Sequence, residues 1–344
     1  MRQACTVTLA PGNSEVYRAR IQPALRRALG RDPHTRHEVS RALLAEPYYQ
    51  YWSALQRTTQ EMLWDGVGET VERQLPTLIA RARAEPGPGT LRLDPAFVTP
   101  RYMAEVDIHV MPGNYQSELV ADDVFAGAIY DRGVYLYGMG ALGPTSAGYG
   151  EALIGYLRER FPEFEPHRIL DLGCSVGHST VPWAQAFANA EVHAIDIGAP
   201  MLRYAHARAR ALGAAVHFSQ QNAETTDFSV RSFDLVVSHI LLHELPAPAL
   251  RRVLRECRRL LRTGGLMLHL DGLAYGGRDP FEQAVQDWNT HFNNEPFQGA
   301  SHDFPFTEEA IKSGFDRGGI IVEDLAIPRA GGGHRFLSLR GARA

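Results

Sequence analysis

Residues 170–180 read LDLGCSVGHST: a short apolar run, a turn holding Gly173 and Gly177, then the start of a helical stretch. A strand, Gly turn and helix at the carboxyl edge of an open α/β sheet is where such sheets bind ligands. Two phosphate-binding readings fail on spacing. No Gly-Lys-Ser/Thr follows, so this is not a P-loop. Position 175 is Ser and the glycines are spaced G-x-x-x-G, so the dinucleotide fingerprint G-x-G-x-x-G is absent. The missing middle glycine is the one that lets the backbone approach a pyrophosphate, which favours a ligand without one.

Around this loop the pattern is regular. RILDLG, EVHAIDIG, AVHFSQQNA, FDLVVSHI and LMLHLDGL read as five strands, separated by helical stretches at 179–190, 200–213 and 247–262. Strands alternating with helices imply βαβ crossovers and a parallel sheet covered on both faces. GIIVEDLAIP and HRFLSLRG, joined by AGGG, predict a hairpin on one edge. In the helix 247–262, Leu250, Val253, Leu254, Cys257, Leu260 and Leu261 form an apolar stripe, and the arginines lie mostly away from it. That is a solvated face, not a nucleic-acid patch. The expectation is an α/β fold: a Rossmann-like, doubly wound, seven-stranded sheet with a C-terminal antiparallel hairpin over residues 146–344, preceded by a mainly helical domain over 1–145.

Asp171-Leu-Gly-Cys-Ser-Val-Gly177 resembles motif I of the class I S-adenosylmethionine-dependent methyltransferases. Four further motifs follow in order: Asp196 ending the second strand, Asn222-Ala223 after the third, FDLVVSHILLHEL, and LLRTGGLMLHLD. The family more often has Asp-Ala where this chain has Asn222-Ala223. The resemblance runs from about residue 168 to 341 and implies S-adenosyl-L-methionine as cofactor. It makes Asp171, Gly173, Cys174 and Gly177 cofactor-binding residues, the glycines permitting close backbone approach and Cys174 acting through its backbone. It gives Asp196 the ribose hydroxyls and sets Asn222 and Ala223 beside the adenine. Ile197 and Met201 would sandwich that ring, since a thioether packs well on an aromatic face. A carboxylate such as Asp196 can accept from two hydroxyls at once.

The acceptor side is read from the same frame. His239 lies where the family lines the methionine end, and His243 where the substrate pocket opens. A neutral imidazole near pH 7 can take a proton during transfer, so His243, with His239 beside it, is the candidate general base. The segment 279–304 corresponds to a variable substrate cover; Trp288, His291, Asn293, Asn294 and Glu295 would give an apolar wall with oriented polar groups. Tyr130, Tyr135 and Tyr137 lie in a segment that folds over the cofactor in many relatives. EVDIHVMPGNY and RGVYLYGMG read as extended. In EVDIHV, alternation would turn Asp107 and His109 the same way, with His302 or Asp303 as a third ligand. Two adjacent ligands do not make a metal centre, so no metal is expected.

The remaining sequence bounds the class. The chain has 344 residues, formal net charge −4 and three scattered cysteines, which excludes a zinc knuckle or disulfide framework and any global attraction to nucleic acid. No window approaches the roughly 20 apolar residues of a membrane span. A cytoplasmic enzyme acting on a small molecule is expected, without nucleic-acid or membrane partners. In the N-terminal region, Tyr48, Tyr51, Trp52, Leu55, Met62 and Leu63 trace one helical face, read as core or homodimer interface; Pro76 should kink or restart that helix. EPGPGT at 85–90 is the clearest break. Two other classes fit less well: an inactive S-adenosylmethionine-binding scaffold and a nicotinamide-dependent oxidoreductase.

Overall fold

The computed structural model describes residues 3–84, 87–330 and 332–344. Its centre is one sheet of eight strands: β1 (Thr90–Arg92), β2 (Arg168–Leu172), β3 (Glu191–Asp196), β4 (His217–Gln220), β5 (Phe233–His239), β6 (Leu261–Asp271), β7 (Ile320–Pro328) and β8 (His334–Arg343). The order across the sheet is β1-β4-β3-β2-β5-β6-β8-β7. All neighbours are parallel except β6 with β8 and β7 with β8, so the terminal hairpin forms the edge as expected. Alternate residues of the parallel strands feed opposite cores. Ile169, Leu235 and Leu268 pack under Gly148–Arg160, Thr180–Ala186 and Ala199–Ala211; Leu170, Val236 and Met267 pack under Ala247–Leu260. The expected stripe from Leu250 to Leu261 is buried throughout.

The eighth strand was not anticipated. Thr90–Arg92 pairs parallel with His217, Phe218 and Ser219, so the N-terminal region adds a strand to the sheet. Gly89 makes this possible: its φ is +88°, and a Cβ there would lie 2.2 Å from the Val216 carbonyl oxygen. Three residues beside a Pro-Gly break carry too little periodicity to be read as a strand. Glu85 and Pro86 of that break lie outside the described residues.

The helix Pro47–Ala84 runs unbroken through Pro76, correcting the expected restart. Val71, Leu75 and Ile79 are buried on either side of the proline, and this packing against Phe125, Ala128 and Ile129 outweighs one lost hydrogen bond. The aromatic stripe is also redrawn. Tyr49, Trp52 and Trp64 point inward, while Tyr51 and Met62 face solvent. Trp52 packs on Trp288 with ring centroids 5.6 Å apart, so the aromatic face is filled from within the same chain. RGVYLY is helical, not extended, within Phe125–Tyr137. Its glycines serve close packing: a Cβ on Gly133 would meet the Trp64 ring at 2.2 Å, and one on Gly127 would meet Tyr204 at 2.4 Å.

His269 on β6 is fully buried and bonds Ser238 Oγ through Nδ1 at 2.7 Å. Burial pushes its pKa down to about 3. The unfolded chain takes up this proton below pH ~6.5 and the folded chain does not until far lower, so the site loses stability as pH falls. Between pH 7 and pH 5 the loss from this one group is about 2 kcal/mol. Urea denaturation of His269→Gln is expected to show that much less acid destabilisation over this interval; an unchanged pH slope would contradict the assignment.

Candidate active site

The loop after β2 holds three residues in the left-handed region: Gly173 (φ +65°), Ser175 (φ +51°) and Gly177 (φ +76°). Strain at the non-glycine Ser175 is held by neighbouring bonds. Ser175 N–H donates to Asp196 Oδ2 at 2.8 Å, and Gly198 N–H donates to Oδ1 at 2.9 Å. Each carboxylate oxygen keeps a lone pair for a further donor. Burial pushes the Asp196 carboxyl above its usual range, opposed by the backbone N–H groups of Gly198, Ser175 and Ile197. Below it, Asp171 accepts from Thr180 Oγ1 at 2.6 Å and lies 3.4 Å from His239 Nδ1.

A second group of polar side chains stands beyond His239, on the turn Leu242–Glu244. His243 Nδ1 lies 2.8 Å from Asp271 Oδ1, at the end of β6. Its Nε2 faces Glu244 Oε1 at 3.5 Å and Glu295 Oε2 at 3.8 Å. His109 joins this group from the N-terminal region: its Nδ1 is 2.8 Å from Glu295 Oε1 and its Nε2 is 3.3 Å from Glu244 Oε1. Tyr115 donates to Glu244 Oε1 at 3.0 Å, and Asn293 donates to Glu295 at 2.7 Å. Burial alone would lower the His243 pKa, but Asp271, Glu244 and Glu295 together hold it up at about 9. The same balance raises His109, against burial, through Glu295 and Glu244. With no other cation beside it, these three carboxylates favour the protonated form of His243 over the neutral imidazole expected of it.

One cavity of about 590 Å³ connects the two groups. Of the residues expected to hold the cofactor, Asp171, Gly173, Cys174, Asp196, Ile197, Asn222, Ala223 and His239 line it; Gly177 does not. Gly177 instead shapes the turn, donating to the Cys174 carbonyl at 2.9 Å. Met201 is corrected: it is fully buried against Ala126 and Val176, beneath the cavity wall. The Asn222 side chain closes a local turn, accepting from Glu224 N–H at 2.9 Å. On the acceptor side Tyr130, Tyr137, His243 and Glu295 line the cavity. Trp288, His291, Asn293 and Asn294 do not. Trp288 packs on Trp52 and Phe292, His291 lies against Phe292, Asn293 supports Glu295, and Asn294 reaches out to the Asp107 carbonyl.

The segment holding His109 is a tight turn, Ile108–Val110, not extended chain; His109 and Val110 have φ of +56° and +60°. Asp107 consequently points to solvent while His109 points inward. His302 packs on Tyr275, and Asp303 pairs with Arg36, so neither completes a set with His109. Tyr115, Glu244 and Asp271 were not foreseen. The adjacent pair His243-Glu244 and the acid closing β6 were the available signals.

A family model described as a methyltransferase domain matches residues 169–265. A malonyl-[acyl-carrier protein] O-methyltransferase of Enterobacter lignolyticus (strain SCF1) is 28% identical over 190 residues, covering 55% of this chain and 69% of that protein. An uncharacterized protein of Mycobacterium tuberculosis (strain ATCC 25618 / H37Rv) is 38% identical over 98 residues, and the chain spans only 34% of its length. A Haemonchus contortus phosphoethanolamine N-methyltransferase 2 solved with S-adenosyl-L-methionine aligns with TM-score 0.45 and 23% identity, over 56% of this chain and 43% of that one. Over residues 169–265 the chain is similar to methyltransferase domains.

Gly198 is the point where the N-terminal region presses on the cofactor side of the sheet. A Cβ there would lie 2.3 Å from the Tyr115 carbonyl oxygen. Backbone cannot swing aside as a side chain can, so Gly198→Ala is expected to cost roughly 1–3 kcal/mol. Thermal melting should fall accordingly; an unchanged midpoint would show that Tyr115 is not seated on this loop.

Proposed function

We propose that this chain transfers a methyl group from S-adenosylmethionine to a small, partly apolar acceptor held between the Gly173 loop and the His243–Glu244 turn. The observation that carries the reading is the continuous cavity, which has the methyltransferase loop at one end and a buried polar group at the other. Trp64, Tyr102, Tyr115, Tyr130, Tyr137 and Tyr149, all from the N-terminal half, supply its aromatic wall. That wall suits a compact ligand better than a polynucleotide, as does the net charge of −4. Among the described residues, no helix is long and apolar enough to cross a membrane.

The residues fit the cofactor on an observation of the site itself. Asp196 is fixed by two backbone N–H groups yet keeps acceptor capacity toward the cavity, as a pair of ribose hydroxyls requires. Ile197 and Ala223 line the cavity and would offer apolar surface to the adenine, and the Cys174–Ser175 backbone, also on the cavity wall, would hold the methionine portion. When bound, the cofactor supplies an already activated sulfonium methyl. The chain's task is then to place the acceptor in line with the methyl–sulfur bond and to keep water out. Asp271 takes Nδ1 of His243 and so fixes the orientation of the ring, with Nε2 turned toward Glu244 and Glu295.

Asp196→Ala removes two charge-assisted acceptors, each worth about 1.5–3 kcal/mol. Calorimetric titration should show S-adenosylmethionine affinity reduced at least ~10-fold. Unchanged affinity would remove the cofactor assignment.

A further inference from the structure

The acceptor end of the cavity contains an arrangement that methyl transfer by proximity does not require. One ring nitrogen each from His109 and His243 and one Glu244 carboxylate oxygen lie within 4.8 Å of one another. Each imidazole has its Nδ1 taken by a different carboxylate: Asp271 at 2.8 Å for His243, Glu295 at 2.8 Å for His109. Both Nε2 atoms are thereby turned toward the same oxygen, Glu244 Oε1, at 3.5 and 3.3 Å. Histidines that bind metals characteristically donate their other N–H to a carboxylate, which fixes the tautomer and leaves the remaining lone pair for the ion. Here that pattern occurs twice around one point.

From this convergence we infer a binding site for a divalent transition-metal ion, with His109, His243 and Glu244 as ligands and Asp271 and Glu295 as the acids that orient the two imidazoles. In the tautomer set by those acids, two nitrogen lone pairs and a carboxylate meet, and a cation between them removes the repulsion. Bonds of about 2.0–2.1 Å to nitrogen and oxygen separate tetrahedral ligands by about 3.3 Å, close to the spacing between Glu244 and each imidazole. The second oxygen of Glu244 is buried and accepts no hydrogen bond among the described residues, so it is available to the ion. Two imidazoles and one carboxylate suit zinc, manganese or ferrous iron; magnesium and calcium prefer all-oxygen sets. All three ligands line the cavity, so the open coordination position faces the space assigned to the acceptor, whose oxygen or nitrogen the ion would hold. This role rests on the methyl-transfer reading, but the site itself does not.

The test is titration of the full-length, metal-stripped chain with Co²⁺ and then Zn²⁺, in the absence of S-adenosylmethionine. One equivalent of Co²⁺ should bind with visible absorption of a four- or five-coordinate ion, and Zn²⁺ should displace it. E244Q and H109Q should each weaken Co²⁺ binding at least ~10-fold, and D271N by about 10–100-fold. Should a variant fail to fold, the stoichiometry and spectrum of the unsubstituted chain still decide. No saturable binding, or only the spectrum of the hydrated ion, would mean that protons on the two imidazoles supply the charge, and would overturn the proposal. Metal bound without S-adenosylmethionine affinity would sink the methyl-transfer reading alone; cofactor bound without metal would sink this one alone.

Discussion

The site depends on one buried carboxylate. Glu244 Oε1 accepts from Tyr115 and faces both His109 and His243. Those partners belong to parts of the chain more than a hundred residues apart, and Glu295 ties in a third segment through His109. A charge this deep is tolerable only if paired and hydrogen-bonded. The network therefore fixes how the N-terminal region meets the carboxyl edge of the sheet. Removing one partner would leave the rest uncompensated, so the cavity's far wall and its polar end form together.

The N-terminal region is consequently part of the site and not an appendage. It contributes β1 to the sheet edge, the aromatic wall of the cavity, and His109. Its long helix is seated through Trp64 on Gly133 and through Val71, Leu75 and Ile79 on the segment that carries Tyr130 and Tyr137. Burial in the helix thus sets the position of the side chains above the Gly173 loop.

The sheet and the Gly173 loop at its carboxyl edge were legible because their physics is local. An apolar run, a Gly turn and a helix start lie within eleven residues, and Asp196 ends the next strand. Contacts set by tertiary packing were not. Met201 suited an adenine neighbour by residue type, yet the helix Ala199–Ala211 turns it into the core. Trp288 and His291 sit in a segment rich in pocket-like residues, but the N-terminal helices claim that face. The glycines of RGVYLYGMG read as turns because a sequence does not reveal that Trp64 needs the space over Gly133. His109 was singled out, but with the wrong companions. Period-two alternation assumed an extended chain, and two left-handed residues instead turn the ring toward Glu244 and Glu295, distant in sequence.

The central claim is that one cavity joins a cofactor loop to the His109–His243–Glu244 group. A crystal structure of the chain with S-adenosylhomocysteine tests it most directly. The account predicts the ribose hydroxyls on Asp196, the adenine beside Ile197 and Ala223, and the sulfur opening toward His243 and Glu244. A ligand bound elsewhere, or a sulfur facing away with the polar group walled off from it, would contradict the account.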